Sequence, residues 1–320
     1  MKKILITGFS GFVSSYFLEH LSSSKESVSI LGLDLFHPQF PVDRYRDIEC
    51  RFEAINLLHK EKVDNLIFQF QPQYILHLAS YSSVAFSWRN PIESFRNNTN
   101  IFLNLVDTVR DLGIECRLLS IGSSEEYGNV PEKSIPITEE LETRPVSPYA
   151  VARVSQEMLS RVYVDGYGMD IVMTRSFNHI GPQQKELFVV PSFVKQMVEM
   201  KKRGLTRGVL HTGDVSIVRD FLDVRDVVSA YSALLLHGKR GEIYNVCSGI
   251  GRSLRQVVDL IAEKLSLEIE IQEDPKMIRP NDNNIVVGSN EKIKKTTGWM
   301  NDIPFEKSID DIIAHWNTIE

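Results

Sequence analysis

The sequence has little cysteine, no long apolar run and no excess of basic charge, and each shortage excludes a class of protein. Cys50, Cys116 and Cys247 are odd in number, far apart and without metal-ligand or CxxC spacing. This usage predicts free thiols in a reducing compartment, which we take to be the cytoplasm. A formal net charge of -6 argues against a general nucleic-acid binder. We therefore expect a small-molecule ligand and no nucleic-acid partner.

Two further shortages concern membranes and metals. No stretch is long and apolar enough to span a bilayer, so we expect no membrane partner. The start MKKILITGFSGF has a basic tip, but glycines interrupt its apolar run before a signal-peptide core is complete. The eight histidines form neither an HExxH-like pattern nor a cluster, so we predict no bound metal.

Short β-rich segments alternate with longer helical patterns through the first half of the chain. The strand candidates are KKILITG, VSILGLD, CRFEAIN, YILHLAS, CRLLSIG and DIVMTRSF. Apolar residues at helical spacing cover roughly 12–22, 59–70, 91–112 and 147–168. Such alternation predicts an α/β fold with a doubly wound parallel sheet of the Rossmann type.

After Asn178 the alternation loosens into a stretch punctuated by proline and glycine. This stretch contains helical patterns near 191–203 and 225–237, the strand-like EIYNVCSG, and a helix opened by the capping box from Ser253 to Gln256. We interpret it as a second, smaller α/β lobe that binds substrate.

The predicted division is a Rossmann domain over 1–176 and a smaller substrate-binding lobe over 177–320. A later segment, about 213–245, is predicted to return to the first domain. No linker-like or low-complexity segment separates the two lobes, so we expect them to share an interface. Such an interface is a common ligand site.

A glycine-rich loop directly follows the first predicted strand and opens the first predicted helix. In TGFSGFVSS, Gly8 and Gly11 are placed for a tight turn and a close approach of the backbone to a pyrophosphate at the helix N-terminus. The third glycine of the common fingerprint is Ser14 here. A lone glycine pattern is equally consistent with an ordinary turn, so its position after the first strand carries the prediction.

Asp34 ends the second predicted strand, where a carboxylate accepts hydrogen bonds from an adenosine ribose. A 2′-phosphate would meet this negative charge, and no arginine stands immediately beside it, so the sequence favours NAD over NADP. The alternative is a solvated acid at a strand end. Asn56, after the third strand, is a weaker candidate for contact with adenine.

Tyr149 and Arg153 almost complete a dehydrogenase active site. In SPYAVAR the tyrosine is followed four positions later by a cation, and on a helix this spacing puts both side chains on one face. A phenol titrates near 10 unaided, and a neighbouring positive charge stabilises its anion. Lysine is the usual partner; arginine keeps the charge and can donate to ribose hydroxyls, but its planar head is bulkier. The alternative is a helix-start tyrosine with a surface cation.

The segment SIGSSEEYG follows the fifth predicted strand, and doubly wound folds place ligand chemistry at the carboxyl ends of their strands. Ser123 is the candidate hydroxyl that orients and polarises a substrate carbonyl or alcohol, while Tyr149 passes a proton to or from the same oxygen. Ordinary strand-end capping is the alternative, and it is more plausible for Ser124 than for both serines. Glu125 is either a base acting on a carbon next to a carbonyl or a solvated loop acid.

Together these motifs resemble the extended short-chain dehydrogenase/reductase family of nucleotide-sugar enzymes, the NAD-dependent epimerases and dehydratases, over essentially the whole chain. Within that family, RSFNHIGPQQ, RDFLDVRDVVSAY, IYNVCSGIG and RPNDNNIVVGSN look most like GDP-4-keto-6-deoxy-D-mannose reductases, also named GDP-6-deoxy-D-mannose reductases. The resemblance implies Ser123 and Tyr149 as catalytic hydroxyls. It also implies a homodimer formed through the helices near 91–112 and 147–168.

The resemblance further implies which residues hold the substrate. Asn178 and Arg219 would contact the nucleotide diphosphate and Arg279 would lie near the same phosphates, because the forked donors of arginine suit that group. Val190 and Lys195 would lie beside the base. Without the motifs, both arginines would be assigned to surface salt bridges. The predicted cofactor site also includes Phe12, Leu57, Leu78 and Ala79, and the predicted substrate site also includes Ser83 and Ser124.

Three functions are consistent with the sequence. The first is a reductase in which NADH delivers hydride to carbon 4 of a GDP-linked 4-keto-6-deoxyhexose. The second is an NAD-retaining GDP-sugar 4,6-dehydratase, epimerase or carbon-4 dehydrogenase, because Ser123, Ser124 and Glu125 occupy positions where such dehydratases carry Thr, Asp or Ser, and Glu. The third is a nucleotide-sugar binding protein with impaired catalysis, which Arg153 in place of the family lysine would explain.

Overall fold

The computed structural model describes residues 1–24, 27–45, 48–277 and 283–319. The strands are β1 (Lys2–Thr7), β2 (Val28–Asp34), β3 (Ile48–Ala54), β4 (Tyr74–His77), β5 (Arg117–Ser123), β6 (Asp170–Ser176), β7 (Asn178–Ile180), β8 (Arg207–Thr212), β9 (Val218–Asp223), β10 (Ile243–Val246), β11 (Gly251–Ser253), β12 (Glu268–Glu273) and β13 (Ile285–Val286). The helices are α1 (Phe12–Ser23), α2 (Lys60–Phe70), α3 (Val84–Arg89), α4 (Pro91–Phe95), α5 (Ile101–Asp111), α6 (Pro148–Tyr167), α7 (Val189–Lys202), α8 (Val224–His237), α9 (Leu254–Leu265), α10 (Glu291–Thr297) and α11 (Phe305–Thr318). Among these described helices, none is long and apolar enough to cross a membrane.

Seven parallel strands form the main sheet in the order β10-β6-β5-β4-β1-β2-β3. The chain moves outward from β1 to β3 and then returns to add β4 on the other side of β1. The loops that leave β1 and β4 therefore diverge and open a crevice at the carboxyl edge of the sheet. The predicted doubly wound parallel sheet is confirmed, and the six strands predicted in the first half of the chain are present.

Apolar side chains cover both faces of this sheet. On one face α1 and α8 pack together, with Phe17 and Tyr231 fully buried in the shared core. On the other face α2, α5 and α6 bury Ile67 and Leu105. Strands buried on both faces need near-continuous apolar runs, which is why segments such as VSILGLD do not alternate.

The second lobe has its own core and two small sheets. Strands β11, β9 and β13 form one sheet, to which β7 adds by pairing with β9, while β12 pairs with β8. Helices α7, α9 and α11 enclose a separate apolar cluster that includes Phe193, Ile261 and Ile312. After β9 the chain returns to the main sheet, because α8 packs on α1 and β10 pairs with β6. The numerical limits of the two domains stay a prediction.

The single helix predicted over 91–112 is interrupted in the structure. A π turn over Arg96–Asn100 separates α4 from α5. Its buried residue Asn98 accepts a hydrogen bond from the N–H of Tyr81 at 2.9 Å and donates to the carbonyl of Tyr81 at 3.4 Å. The wider turn thus directs a side-chain amide onto the loop that leaves β4, which apolar spacing alone does not reveal.

Candidate active site

A crevice of about 1530 Å³ lies between the carboxyl edge of the main sheet and the second lobe. It brings together residues that are far apart in the sequence. The predicted site residues that line it are Gly8, Gly11, Phe12, Asp34, Asn56, Leu57, Leu78, Ala79, Ser83, Ser123, Ser124, Glu125, Tyr149, Arg153, Asn178, Val190 and Arg219. Arg279 lies outside the described residues, and Lys195 does not line the crevice.

The glycine loop forms one end of the crevice. Gly8 has a φ of +72°, and a Cβ there would lie 2.6 Å from the backbone nitrogen of Ala79. Only glycine fits this contact between the loops that leave β1 and β4. Gly11 precedes α1 and gives that helix no side-chain cap, so the first N–H groups of α1 suit an anion such as a pyrophosphate.

Ser14, in place of the third glycine, contributes to the same loop. Its side chain is completely buried, and its Oγ donates a hydrogen bond to the carbonyl oxygen of Gly8 at 3.1 Å. The hydroxyl therefore ties the first turn of α1 back to the loop. Serine in place of the third glycine of the common fingerprint therefore preserves the turn.

Asp34 and Asn56 lie where the second and third strands reach the crevice. The carboxylate of Asp34 accepts from the N–H of Ser10 at 2.9 Å and from the N–H of Leu35 at 2.6 Å. Two carboxylate oxygens offer about four acceptor positions, so the side chain can still accept from a ribose. The side-chain oxygen of Asn56 accepts from the N–H of Leu58 at 2.9 Å, which leaves its NH₂ group to donate.

Tyr149 and Arg153 form the contact that the helical spacing predicts. Helix α6 begins after Ser147, whose hydroxyl accepts from the N–H of Ala150 at 3.1 Å. Tyr149 lies in its first turn, and its hydroxyl accepts a hydrogen bond from Nε of Arg153 at 3.2 Å. Arg153 is 4% exposed, so the alternative of a surface cation is wrong. A positive charge is fixed beside the phenol.

Ser123 ends β5 and caps the short turn that follows. Its Oγ accepts from the N–H of Glu125 at 3.2 Å, and its own N–H donates to Oε1 of Glu126 at 2.7 Å. Strand-end capping, which the sequence assigned more readily to Ser124, belongs to Ser123. A hydroxyl that accepts in the cap keeps its proton, so it can still donate to a substrate oxygen. Glu125 lines the crevice beside it.

A buried ion cluster next to Ser123 was missed by the sequence reasoning. Glu126 is completely buried, and its Oε2 lies 3.9 Å from Nε of Arg175. Arg175 makes two hydrogen bonds, of 2.8 and 2.9 Å, to Glu157 on α6. Burial and the nearby charge of Glu157 raise the pKa of Glu126 well above its ordinary value. We interpret Glu126 as protonated, because its buried Oε2 has no hydrogen-bond partner among the described residues, while Arg175 bonds to Glu157, which Arg161 also approaches at 3.5 Å.

Asn178 and Arg219 line the crevice from the second lobe. Asn178 begins β7 and pairs with Phe221 on β9, the strand that also carries Arg219. Arg219 donates from Nη1 to the carbonyl of Val218 at 2.9 Å. The two predicted diphosphate ligands thus lie on one small sheet of the second lobe.

The placement of Lys195 does not support a role beside the base. Its Nζ lies 2.7 Å from Oε1 of Glu186, 4.0 Å from Oε1 of Glu199 and 5.7 Å from the ring centre of Trp316. The hydrogen bond to Glu186 raises the pKa of the ammonium group. The position of Lys195 on α7 brings its side chain to these partners, whereas Val190, five residues earlier in the same helix, does line the crevice.

The crevice also has lining residues that no sequence pattern indicates. They come from the loop after β4 with α3, from the segment between β7 and α7 and from the end of β8, and include Tyr81, Trp88, Arg89, Gln183, Phe188, His211, Thr212 and Asp214. Phe12 stacks on His179, with ring centres 6.2 Å apart and planes 12° apart, so His179 packs between the two lobes. Among the described residues, no group of three or more histidine, cysteine or acidic side chains is arranged to hold a metal ion.

Comparison with known proteins gives matches over nearly the whole chain. Residues 5–312 match the family described as GDP-mannose 4,6 dehydratase. The GDP-6-deoxy-D-mannose reductase of Pseudomonas aeruginosa is 34% identical over 317 residues, which cover 99% of this chain and 98% of that protein. The structure of RMD from Pseudomonas aeruginosa complexed with NADPH has a TM-score of 0.86 at 32% identity and covers 100% of both chains. The structure of Thermus thermophilus UDP-glucose 4-epimerase complexed with NAD has a TM-score of 0.84 at 29% identity and covers 99% of both chains.

We expect the Glu126→Gln substitution to flatten the dependence of stability on pH. The folded chain holds a proton on Glu126 that the unfolded chain releases above the ordinary pKa of 4.5, so the free energy of unfolding contributed by this group falls as pH rises. Glutamine reproduces the protonated acid and has no such proton to release. The measurement is urea unfolding between pH 5 and 8, with the exposed acid variant Glu263→Gln as control. An unchanged slope in Glu126→Gln would mean that Glu126 is ionised in the folded state.

Proposed function

Because this chain belongs to the GDP-mannose 4,6 dehydratase family, we propose that it is a nucleotide-sugar oxidoreductase that reduces carbon 4 of a GDP-linked 4-keto-6-deoxyhexose. The observation that carries the proposal is the hydrogen bond between Arg153 and Tyr149 at 3.2 Å, in a crevice that Ser123 also lines. The 34% identity to a protein named GDP-6-deoxy-D-mannose reductase supports carbon 4 of a GDP-linked sugar as the reacting position.

The crevice residues fit a nicotinamide cofactor at the β1 end. The uncapped N-terminus of α1 and the contact at Gly8 provide a cradle for a pyrophosphate. Bound NADH supplies the hydride that is added to carbon 4. The substrate diphosphate would lie at the other end, against Asn178 and Arg219.

The proton steps belong to residues of this chain. Tyr149 gives its hydroxyl proton to the oxygen on carbon 4, which receives the electron pair of the carbonyl bond as hydride adds to the carbon. Ser123 donates a hydrogen bond to the same oxygen. Arg153 stabilises the phenolate that Tyr149 becomes, and solvent restores the proton. The products are the 4-hydroxy sugar nucleotide and oxidised cofactor.

A dehydratase that retains its cofactor is the second candidate. Glu125 lines the crevice within two residues of Ser123, so it could remove a proton from carbon 5 after oxidation at carbon 4. A reductase removes no proton from a sugar carbon, so Glu125 would have no such role in it. The two functions therefore differ in their dependence on Glu125.

The preferred cofactor in this proposal is NADH. The crevice residues that follow Asp34 are Leu35, Phe36, His37, Gln39 and Phe40, so no arginine among these lining residues would balance a 2′-phosphate. Like charges about 4 Å apart near a protein surface repel by roughly 4 kcal/mol. The solved Pseudomonas aeruginosa relative holds NADPH, so the preference has to be measured for this chain.

We also propose that the protein is a cytoplasmic homodimer. Helices α4 and α5 each contact α6, and the three helices expose apolar side chains. The exposed set is Ile92, Phe95, Leu103, Val151, Met158, Val162 and Tyr167. On α6 the spacing of positions 151, 158 and 162 places them on one face. A second copy would bury this self-complementary surface by forming a four-helix bundle about a two-fold axis.

We expect GDP-4-keto-6-deoxymannose to consume one NADH per molecule of product, and GDP-mannose alone to remain unchanged. Glu125→Gln should retain the reductase activity, because no carbon-bound proton is removed, whereas Tyr149→Phe should lower kcat by roughly 100-fold or more through loss of the proton donor. Sugar products and NADH oxidation are followed together. If GDP-mannose is converted without net change in cofactor, and Glu125→Gln abolishes this conversion, the protein is a dehydratase instead. If neither sugar nucleotide reacts, the result favours a binding protein.

We expect kcat/KM to be at least about tenfold higher with NADH than with NADPH, because Asp34 repels the 2′-phosphate. Asp34→Asn should narrow this ratio by removing the charge. Its single amide oxygen can keep one of the two hydrogen bonds that the carboxylate accepts, from Ser10 at Oδ2 or from Leu35 at Oδ1. Initial rates with both cofactors measure the ratio. Equal efficiencies in the parent protein, or a ratio that Asp34→Asn leaves unchanged, would contradict this assignment.

We expect Val162→Lys to convert the dimer into a monomer, because a charge would enter the apolar surface. The matched control is Phe68→Lys, which places the same charge at an exposed apolar position on α2 (62% exposed, against 57% for Val162). Molar mass from size-exclusion chromatography with light scattering reports the result. A monomeric parent, or dissociation by both variants, would refute the assignment of this surface.

A further inference from the structure

Arginine in the position of the usual lysine requires additional hydrogen-bond acceptors next to the proposed active site. A guanidinium has five N–H donors in a fixed plane, and a buried donor without a partner is costly. Arg153 is 4% exposed, and its Nε donates to Tyr149. Its Nη1 donates to the backbone carbonyl of Ile121 at 2.9 Å and to Oε1 of Gln156 at 2.7 Å.

Gln156 is itself held by the main sheet. It is 1% exposed and lies one helical turn beyond Arg153 on α6. Its Nε2 donates to Oγ of Ser120 at 2.8 Å and to the carbonyl of Ile121 at 3.1 Å. These bonds set the orientation of the amide, because a flipped amide would place NH₂ against the guanidinium and oxygen against a carbonyl.

We propose that Gln156 is a positioning residue for Arg153, and that it allows arginine to serve in a site where lysine is usual. Together with the carbonyl of Ile121 it fixes Nη1, so the plane of the guanidinium directs Nε at Tyr149. Among the described residues no protein acceptor bonds Nη2, and Arg153 lines the crevice. Nη2 is therefore the donor that we assign to the ribose of the cofactor. The inference rests on the proposed function, since it concerns the same reaction.

Lysine at position 153 would not depend on Gln156. An ammonium group rotates freely about its last bond and has no plane to orient, so it can turn toward Tyr149 and a ribose without a fixed partner. The carbonyl of Ile121 would keep its bond from Gln156. The loss of kcat that follows removal of the Gln156 side chain should therefore depend on whether arginine or lysine occupies position 153.

A double-mutant cycle tests this dependence. Gln156→Ala should lower kcat by roughly 10- to 100-fold when position 153 is arginine, because a hydrogen bond to a charged group is lost. In the Arg153→Lys background the same change should lower kcat by less than about threefold. Equal losses in both backgrounds would mean that Gln156 acts only on the fold, and would overturn the proposal.

A control and an independent measurement sharpen the result. Ser160→Ala removes the 3.3 Å contact between Ser160 and Ser120 and the 2.9 Å bond from Ser160 to the backbone carbonyl of Gln156, without touching Arg153 or the side chain of Gln156. It should leave kcat within about twofold of the parent. The dissociation constant of NADH, measured by its fluorescence, should rise for Gln156→Ala only when arginine is present. Because this binding needs no sugar, it tests the proposal even if the proposed substrate is wrong.

Discussion

The backbone contact at Gly8 is the constraint on which the crevice depends. Gly8 donates to the carbonyl of Leu33 at 2.9 Å and lies so close to Ala79 that a methyl group could not stand between them. This contact holds the loops that leave β1 and β4 together at the point where the two loops begin to diverge. Asn98 holds the second of these loops from its far side, through both backbone groups of Tyr81. The end of the crevice proposed to hold the cofactor is thus shaped by backbone contacts, which side chains such as Asn98 stabilise.

The proposed catalytic end depends on how α6 packs against β5 and β6. Two arginines lie in this interface and differ in their partners. Arg175 meets the carboxylate of Glu157, so its charge is neutralised inside the protein. The described partners of Arg153 are the hydroxyl of Tyr149, a carbonyl and the amide of Gln156, all of them neutral. Its positive charge therefore remains available to the phenol and to whatever enters the crevice.

Sequence patterns were sufficient where one local feature determines the structure. Apolar runs predicted the strands of the main sheet, and the spacing from Tyr149 to Arg153 predicted their contact. The patterns failed where the outcome depends on contacts between distant segments. Glu125 and Glu126 are neighbours of the same type, and Glu126 is buried because the turn that carries it packs against α6 and β6. The π turn at Asn98 is equally invisible, because its partner is a backbone segment 17 residues away.

The proposed role of Gln156 is another feature that the sequence alone does not reveal. A glutamine three residues after an arginine on a helix is ordinary surface composition, and nothing in the sequence separates it from a solvated side chain. Its burial follows from small neighbours, since Ser120 and Ser160 leave room for an amide between α6 and β5. Arginine at position 153 is then compatible with a buried site, because a neutral and oriented acceptor satisfies the guanidinium without removing its charge. A carboxylate at position 156 would satisfy the same donors and would also cancel the charge that Tyr149 needs. The amide is the side chain that meets both requirements.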